Sequence, residues 1–442
     1  MGNSTFRGGT HPYEGKELSM DLPIKSLLPK DELVFPMSQH IGAPATPTVS
    51  VGDTVKMGQV IGEASGFISA NIVSSVSGKV TKIEPRLTVS GAKTTCVVIE
   101  NDGEYQGIDG LGEDRDYTAL SKEEVRQIIK EAGIVGMGGA GFPTNVKVTP
   151  KNEDEIEYVI INGAECEPYL TSDYRLMLEK PEQLITGLKV LLRLFDHAQG
   201  IIAIEDNKPE AIAKLEYLTQ DDDRITVKTL KTKYPQGAER QVIYVTTGRK
   251  IYSKMLPADA GCVVDNVQTV LAVYDAVCKC TPSMSRVMTL TGDAMAEPQN
   301  YEVKFGMSHA ELLEDAGGLV EAGAEKIISG GPMMGMAMYE LNVPITKTSS
   351  SILAMSKDEV AACEPTNCIR CGRCATVCPS HLVPQKMAEA AERSDLALFE
   401  KLNGMECYEC GTCTYVCPAK RRLTQAFKQA RRAVMDNARK TK

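Results

Sequence analysis

The 442-residue chain has no tryptophan, few aromatic residues (5%) and five histidines, too dispersed to suggest a metal site built on imidazole. It also lacks an excess of positive charge: the formal net charge of −9 argues against nucleic acid as a partner. No apolar run reaches the roughly 18–20 residues needed to cross a bilayer. The opening Met-Gly-Asn-Ser-Thr-Phe-Arg has no apolar core resembling a signal peptide. The expectation is a protein on the reducing, cytoplasmic side, with room for roughly three or four domains of about 100–150 residues.

Cysteine is what the chain does have, and in order. Cys368-Ile-Arg-Cys371-Gly-Arg-Cys374-Ala-Thr-Val-Cys378-Pro379 is echoed by Cys407-Tyr-Glu-Cys410-Gly-Thr-Cys413-Thr-Tyr-Val-Cys417-Pro418. In a C-x2-C-x2-C-x3-C-P run three thiolates hold one cubane and the fourth ligates the other cluster. Cys368, Cys371, Cys374 and Cys417 are therefore expected to hold one [4Fe–4S] cluster, and Cys407, Cys410, Cys413 and Cys378 the second. Gly372 and Gly411 are expected to let amides approach the sulfurs. A structural zinc site is the alternative, since thiolate quartets also bind zinc. A disulfide framework suits neither the chain length nor the scatter of Cys96, Cys166, Cys262, Cys278, Cys280 and Cys363, which read as small buried hydrophobes or bystanders.

Residues 1–35 read as an extended lead-in with little structure of its own. From about 39 to 100, short β-rich segments with Gly-Asp and Ser-Gly turns follow one another. They resemble the barrel of biotinyl and lipoyl carrier domains. No lysine stands at Ser65-Gly66-Phe67-Ile68, where a carrier would have one, so a structural barrel is expected. Ser121-Lys-Glu-Glu124 predicts a helix with a capping box. Strands at 158–162, 200–204 and 225–230 alternate with helices at 181–195, 208–218 and 238–247, the rhythm of an α/β sheet. Strands at 287–292, 300–305 and 326–329 around a helix at 308–316 resemble a β-grasp, soluble-ligand-binding module. Helices at 384–393 and 395–402 separate the cysteine runs. The tail from Lys420 to Lys442 carries nine Lys/Arg against one Asp, either as a solvated helix or as a docking element for an acidic subunit or anionic lipid.

A second constellation precedes the cysteines. Gly136-Met-Gly138-Gly139-Ala-Gly141-Phe142-Pro143-Thr144 removes side chains where backbone amides could close on phosphate or a flat ring, with Lys147 nearby to answer anionic charge. No strand leads into it, so it is not the dinucleotide fingerprint, and glycine loops also make plain turns. Asn162-Gly-Ala-Glu165-Cys-Glu167-Pro168 lies at the carboxyl end of a predicted strand, where ligands of α/β sheets sit. Alone, Glu165 and Glu167 read as a solvated acidic pair. With Gly237-Ala-Glu239 they form a candidate wall for ribose and carboxamide. Nicotinamide moves two electrons as hydride and iron–sulfur clusters move one, so a chain joining them calls for a flavin.

These motifs, with Val264-x-Asn266-Val-x-Thr269, resemble the FMN- and NADH-binding subunit of respiratory complex I and its diaphorase relatives. The barrel, the opening Thr5-Phe-Arg-Gly-Gly-Thr-His-Pro12, the Gly330-Gly-Pro-Met-Met-Gly335 segment and the doubled cysteine run extend the likeness. Nearly the whole chain resembles the C subunits of the Rnf complex, the ion-translocating ferredoxin:NAD oxidoreductase of bacterial membranes.

The resemblance implies a multidomain α/β protein. Its expected parts are a lead-in and barrel-sandwich hybrid (1–110), a Rossmann-like FMN/NADH domain (115–284), a β-grasp module (285–350) and a two-cluster ferredoxin-like domain with a basic C-terminal helix (355–442). It implies noncovalent FMN and NAD(H) near Gly136, Gly138, Gly141, Phe142 as a stacking ring, Lys147 at the FMN phosphate, Asn162, Glu165, Glu167, Gly237, Glu239, Asp265, Asn266 and Thr269. Glu165 and Glu167 would orient the nicotinamide as catalytic residues. Met137 and Ala164 depart from the arginine and aspartate usual in the complex I subunit. The partners implied are integral membrane and iron–sulfur subunits, with ferredoxin reached indirectly, and the chain would lie peripherally on the cytoplasmic face of the cell membrane. The rivals are a diaphorase subunit of a soluble hydrogenase or formate dehydrogenase, and a non-catalytic electron relay.

Overall fold

Near-continuous apolar runs such as Val159-Ile160-Ile161 and Ile201-Ile202-Ala203-Ile204 suit strands covered on both faces. In the computed structural model, which describes residues 4–30 and 32–440, they form the middle of an all-parallel four-stranded sheet. Its order is Ile225–Leu230, Gln199–Glu205, Tyr158–Gly163, Cys262–Asn266. The chain winds outward from Tyr158–Gly163 through two strands and then returns to the other side. The strand order therefore reverses between Tyr158–Gly163 and Cys262–Asn266, and a crevice opens there at the carboxyl ends. Helices Pro181–Leu192, Pro209–Thr219 and Val267–Cys278 cover one face; Glu239–Thr247 covers the other together with Phe6.

Around this sheet stand three smaller units. The barrel comprises a four-stranded sheet (Glu32–Pro36, Lys93–Asn101, Gly78–Leu87, Thr54–Val55) and a three-stranded one (Thr46–Pro47, Val60–Glu63, Ile72–Val73), closed over Leu33, Phe35, Ile61, Ile72, Val80 and Ile99. The β-grasp unit is a six-stranded sheet in the order Lys25–Ser26, Gln299–Lys304, Ser285–Thr291, Ser351–Met355, Lys326–Ser329, Met336–Ala337. Its helix His309–Asp315 is capped by the Ser308 hydroxyl. The cysteine-rich unit packs helices Pro384–Glu392, Leu396–Lys401 and Leu423–Lys440 over Met387, Phe399 and Phe427. The capping box at Ser121 and Glu124 opens Lys122–Glu131 as predicted.

The lead-in needs correction. It is extended, but it is a strap fixed along three units rather than a loose arm. Phe6 is buried against the parallel sheet, Thr10 pairs with Tyr234, the Gly9 amide donates to the Val377 carbonyl and Lys25–Ser26 is an edge strand of the β-grasp sheet. Residues 1–3, which belong to that reading, and 441–442, at the end of the basic tail, lie outside the described residues. The strands Cys262–Asn266 and Ser351–Met355 went unpredicted.

Candidate functional site

The two cysteine runs fold as near copies. In each, the residue two after the first cysteine takes a left-handed conformation (Arg370, φ 56°; Glu409, φ 60°), and its amide donates to that cysteine's sulfur at 3.4 and 3.3 Å. Gly372 and Gly411 supply left-handed N-caps (φ 77° and 83°) for the short helices that follow, and after Gly411 the Thr412 amide bonds the Cys410 sulfur. The four cysteines of each predicted set surround one cavity. Cys378, Cys407, Cys410 and Cys413 line a space of about 340 Å³. Cys368, Cys371, Cys374 and Cys417 line another of about 400 Å³. The fourth cysteine of each run thus crosses to the other's cavity.

Among the described residues no group of three or more His, Cys, Asp or Glu is placed to hold a single metal ion. Four thiols around one cavity, in two such sets, suit a pair of cubane cores. Burial pushes the Cys407 and Cys413 thiols up to about 12. A cationic cluster core is what would hold four such sulfurs as thiolates.

At the switch point the parallel sheet gathers the second constellation. The glycine loop is closed by the Gly136 amide, which donates to the Phe142 carbonyl at 2.9 Å. It lies against the start of Val267–Cys278: the Met137 amide donates to Thr269 Oγ1 at 2.9 Å. A Cβ on Gly138 would stand 2.8 Å from that of Asn266, so only glycine fits. Gly141 (φ 69°) turns the loop against Gln39 and His40 of the barrel, and Phe142 is half-buried.

Lys147 donates to the Val264 carbonyl (2.8 Å) and Asp265 Oδ1 (3.1 Å). Burial acts to lower its pKa, but Asp265 and Glu239 outweigh it and hold the ammonium above its ordinary value. Asp265 Oδ2 is buried without a partner, an acceptor open to a ring N–H donor. Asn162 ties in the third segment by donating to the Gly237 carbonyl at 2.8 Å. A buried cation beside carboxylates, an orphaned buried acceptor and a glycine-rich loop fit a flat, hydrogen-bonding cofactor with an anionic group.

The two glutamates are not a solvated pair. Glu165, at φ 45°, turns its carboxylate onto the amides of Asp173 (2.7 Å) and Tyr174 (3.2 Å), at the start of helix Ser172–Glu179. Burial raises its pKa, and Lys16 opposes the rise. Glu167 reaches the β-grasp unit, accepting from the amides of Met333 (3.2 Å) and Met334 (2.9 Å). A Cβ on Gly331 would stand 2.2 Å from its carboxylate. Burial pushes Glu167 up to about 7 against those two bonds.

Several residues here were missed from sequence. Lys16, buried, donates to the carbonyls of Glu165 (2.9 Å), Glu167 (3.1 Å) and Leu170 (2.5 Å) and so braces the acidic loop from beneath. Asp173 accepts from Asn266 at 2.6 Å. Arg286 donates to the Met137 carbonyl at 3.3 Å. Tyr234 donates to the Cys410 carbonyl at 2.7 Å, and its hydroxyl lies 3.4 Å from Glu167 Oε1. Tyr234 had as its signal only its proximity to Gly237 and Glu239, and Lys16 had none.

Four family models match in chain order: the RnfC barrel sandwich hybrid domain at residues 4–104, the Nuo51 FMN-binding domain at 129–275, the SLBB domain at 287–337 and a 4Fe-4S dicluster domain at 358–421. The C subunit of the Na(+)-translocating ferredoxin:NAD(+) oxidoreductase complex of Acetobacterium woodii is 43% identical over 99% of both chains. The proton-translocating counterpart of Clostridium ljungdahlii is 44% identical over 87% of this chain and 84% of its own. A crystal structure of NAD+-reducing [NiFe]-hydrogenase in the air-oxidized state shares the fold over 71% of this chain and 64% of its own, at a TM-score of 0.52 and 20% identity. On sequence, domain order and site, the chain belongs to the RnfC family, the C subunits of ion-translocating ferredoxin:NAD(+) oxidoreductase complexes.

Proposed function

We propose that this chain is the NAD(H)-interacting catalytic subunit of a membrane-bound, ion-translocating ferredoxin:NAD oxidoreductase. It exchanges hydride with NAD(H) at FMN and single electrons through two [4Fe–4S] clusters. The observation that carries the reading is the contact between its two sites. Tyr234 touches both Glu167 and the backbone of Cys410, which lines the inner cysteine cavity, so one side chain bridges the acidic loop and that cavity.

Bound FMN supplies the exchange between two-electron and one-electron chemistry. The chain's residues do the rest. Gly136, Gly138 and Gly141 shape the loop, and Lys147 offers its ammonium to the phosphate. Asn162, Gly237, Glu239, Asp265, Asn266 and Thr269 line the flavin. Glu165 and Glu167 form the wall that orients the nicotinamide, with Phe142 as a stacking ring. Lys16 and Arg286 hold the acidic and glycine loops in place. The inner quartet, touching this site, comes first in the relay, and the outer quartet follows.

Among the described residues no helix is long and apolar enough to cross a membrane. In this reading integral membrane and iron–sulfur subunits hold the chain at the cytoplasmic face, and ferredoxin is reached through them. The test is an anaerobic NADH titration of the reconstituted chain, followed by optical and EPR spectra. Flavin bleaching accompanied by reduced-cluster signals is expected; flavin that ignores NADH would overturn the reading. Lys147→Ala is expected to purify with little FMN, and full retention would remove the phosphate role from Lys147.

A further inference from the structure

The two cysteine cavities differ in what surrounds them. In the inner set Cys378, Cys410 and Cys413 are buried and Cys407 half-exposed, whereas in the outer set Cys368 and Cys371 are exposed and Cys374 and Cys417 half-exposed. Around the exposed pair the surface has a distinct composition. Ile369 is 68% exposed beside Cys368, and Tyr415, two residues before Cys417, is 50% exposed. Five cations flank the ligands along the chain, Arg370, Arg373, Lys420, Arg421 and Arg422, and Arg370 and Arg421 line the cavity itself. Arg421 is paired with Glu392. Arg370, Arg373, Lys420 and Arg422 form no ion pair among the described residues, and all four are exposed. Acids are also present: Glu364 is on the segment whose Thr366 amide donates to the Ala419 carbonyl, and Glu389 is on the helix that brings Gln385 to the cavity. Such a local excess of unpaired cations stands out on a chain of net charge −9.

We propose that this face is the electron port of the chain, and that it docks an acidic protein domain carrying a one-electron iron–sulfur centre. The proposal rests on the two-cluster reading above and adds where the relay leaves the chain and what it meets. Two exposed thiolate ligands at the centre give an outside redox centre its nearest approach. Ile369 and Tyr415 provide a small apolar area that sheds water on contact, and the surrounding cations steer and orient an acidic partner. A lipid surface would also answer the charge, but it accepts no electron, and it would bury the one part of the relay that lies open. One electron passes from the outer cluster to the oxidised partner, and no bond or proton need change.

The test uses the full chain with reconstituted clusters and, as a stand-in for the partner's acidic iron–sulfur domain, an acidic two-[4Fe–4S] bacterial ferredoxin. The variant is Arg373→Glu/Arg422→Glu; the control is Arg439→Glu/Lys440→Glu at the far end of the basic helix. Chains reduced with dithionite and then desalted are mixed with oxidised ferredoxin, and binding is measured separately by calorimetry. At about 50 mM salt the Arg373/Arg422 variant is expected to bind and reduce ferredoxin at least about tenfold more weakly than the parent. The gap should close near 1 M salt, where the Debye length is about 3 Å.

The control should match the parent. EPR of each variant fixes its cluster content, and chains that load no clusters would sink the two-cluster reading, while calorimetry would still report on the surface. Unchanged ferredoxin binding in the Arg373/Arg422 variant, or loss only in the tail control, would overturn the port. So would loss, in the Arg373/Arg422 variant, of binding to phosphatidylglycerol vesicles with ferredoxin affinity intact, which would make this face a membrane contact.

Discussion

Glu167 shows what a single side chain does when it belongs to two units at once. Its carboxylate is held by two amides of the β-grasp loop and yet is pushed by burial from the ordinary 4.5 to about 7. The sign follows from proton linkage. Between about pH 4.5 and 7 the folded protein keeps a proton that the unfolded chain has lost, so stability falls as pH rises through this range and levels off above it. Glu167→Gln removes that slope. Relative to the parent it is expected to gain on the order of 1–3 kcal/mol between pH 5 and pH 8. Denaturant unfolding at both values checks it, and an unchanged difference would mean that the carboxyl is not shifted. Lys16 is the companion case. Three carbonyls around one buried ammonium leave an expensive vacancy if the cation goes, so Lys16→Met should lower stability by about 2–4 kcal/mol and raise the KM for NADH more than it lowers kcat. Glu167 was legible from its motif. Lys16 was not, because it meets its partners across some 150 residues and nothing local to it marks a site.

Among elements, those with a local signal were readable. The capping box at Ser121, the period of apolar residues in Ile225–Leu230 and the three-residue spacing of the cysteines each act within a few positions, and each appears as expected. The strand Ser351–Met355 was hidden because its neighbours, Ser285–Thr291 and Lys326–Ser329, are chosen by the sheet and not by adjacent sequence. Cys262–Asn266 was hidden for the same reason, although it completes the crevice. Glycine separates these two kinds of information. A methyl group on Gly138 would press into Asn266, so Gly138→Ala should shift the loop and release FMN during purification. Ser121→Ala removes a cap on the helix before the same loop and is expected to cost about 1 kcal/mol with flavin content unchanged. Flavin content and melting temperature, measured on both, separate a contact that shapes the crevice from one that supports the fold.

Over the whole molecule the cores do not depend equally on iron. The parallel sheet, the barrel and the β-grasp unit close over mostly aliphatic side chains with a few aromatics, whereas the core of the cysteine-rich unit includes Cys378 and Cys413, which line one of the cavities. Without iron that unit keeps Phe399, Phe427 and Met387 but loses the cross-links that tie its two halves. Its bonds to the nucleotide domain and the strap include Tyr234 to the Cys410 carbonyl, Gln241 to Pro379 and Tyr408, Arg240 and Ser253 to Glu406, and Gly9 to Val377. Anaerobic chelation of iron should therefore raise amide exchange across 366–430 and at Gly9 while the strands Tyr158–Gly163 and Gln199–Glu205 stay protected and flavin stays bound. If exchange rose throughout the parallel sheet as well, the clusters would be organising the nucleotide domain too, and the strap through Phe6 and Thr10 would be the element carrying that dependence.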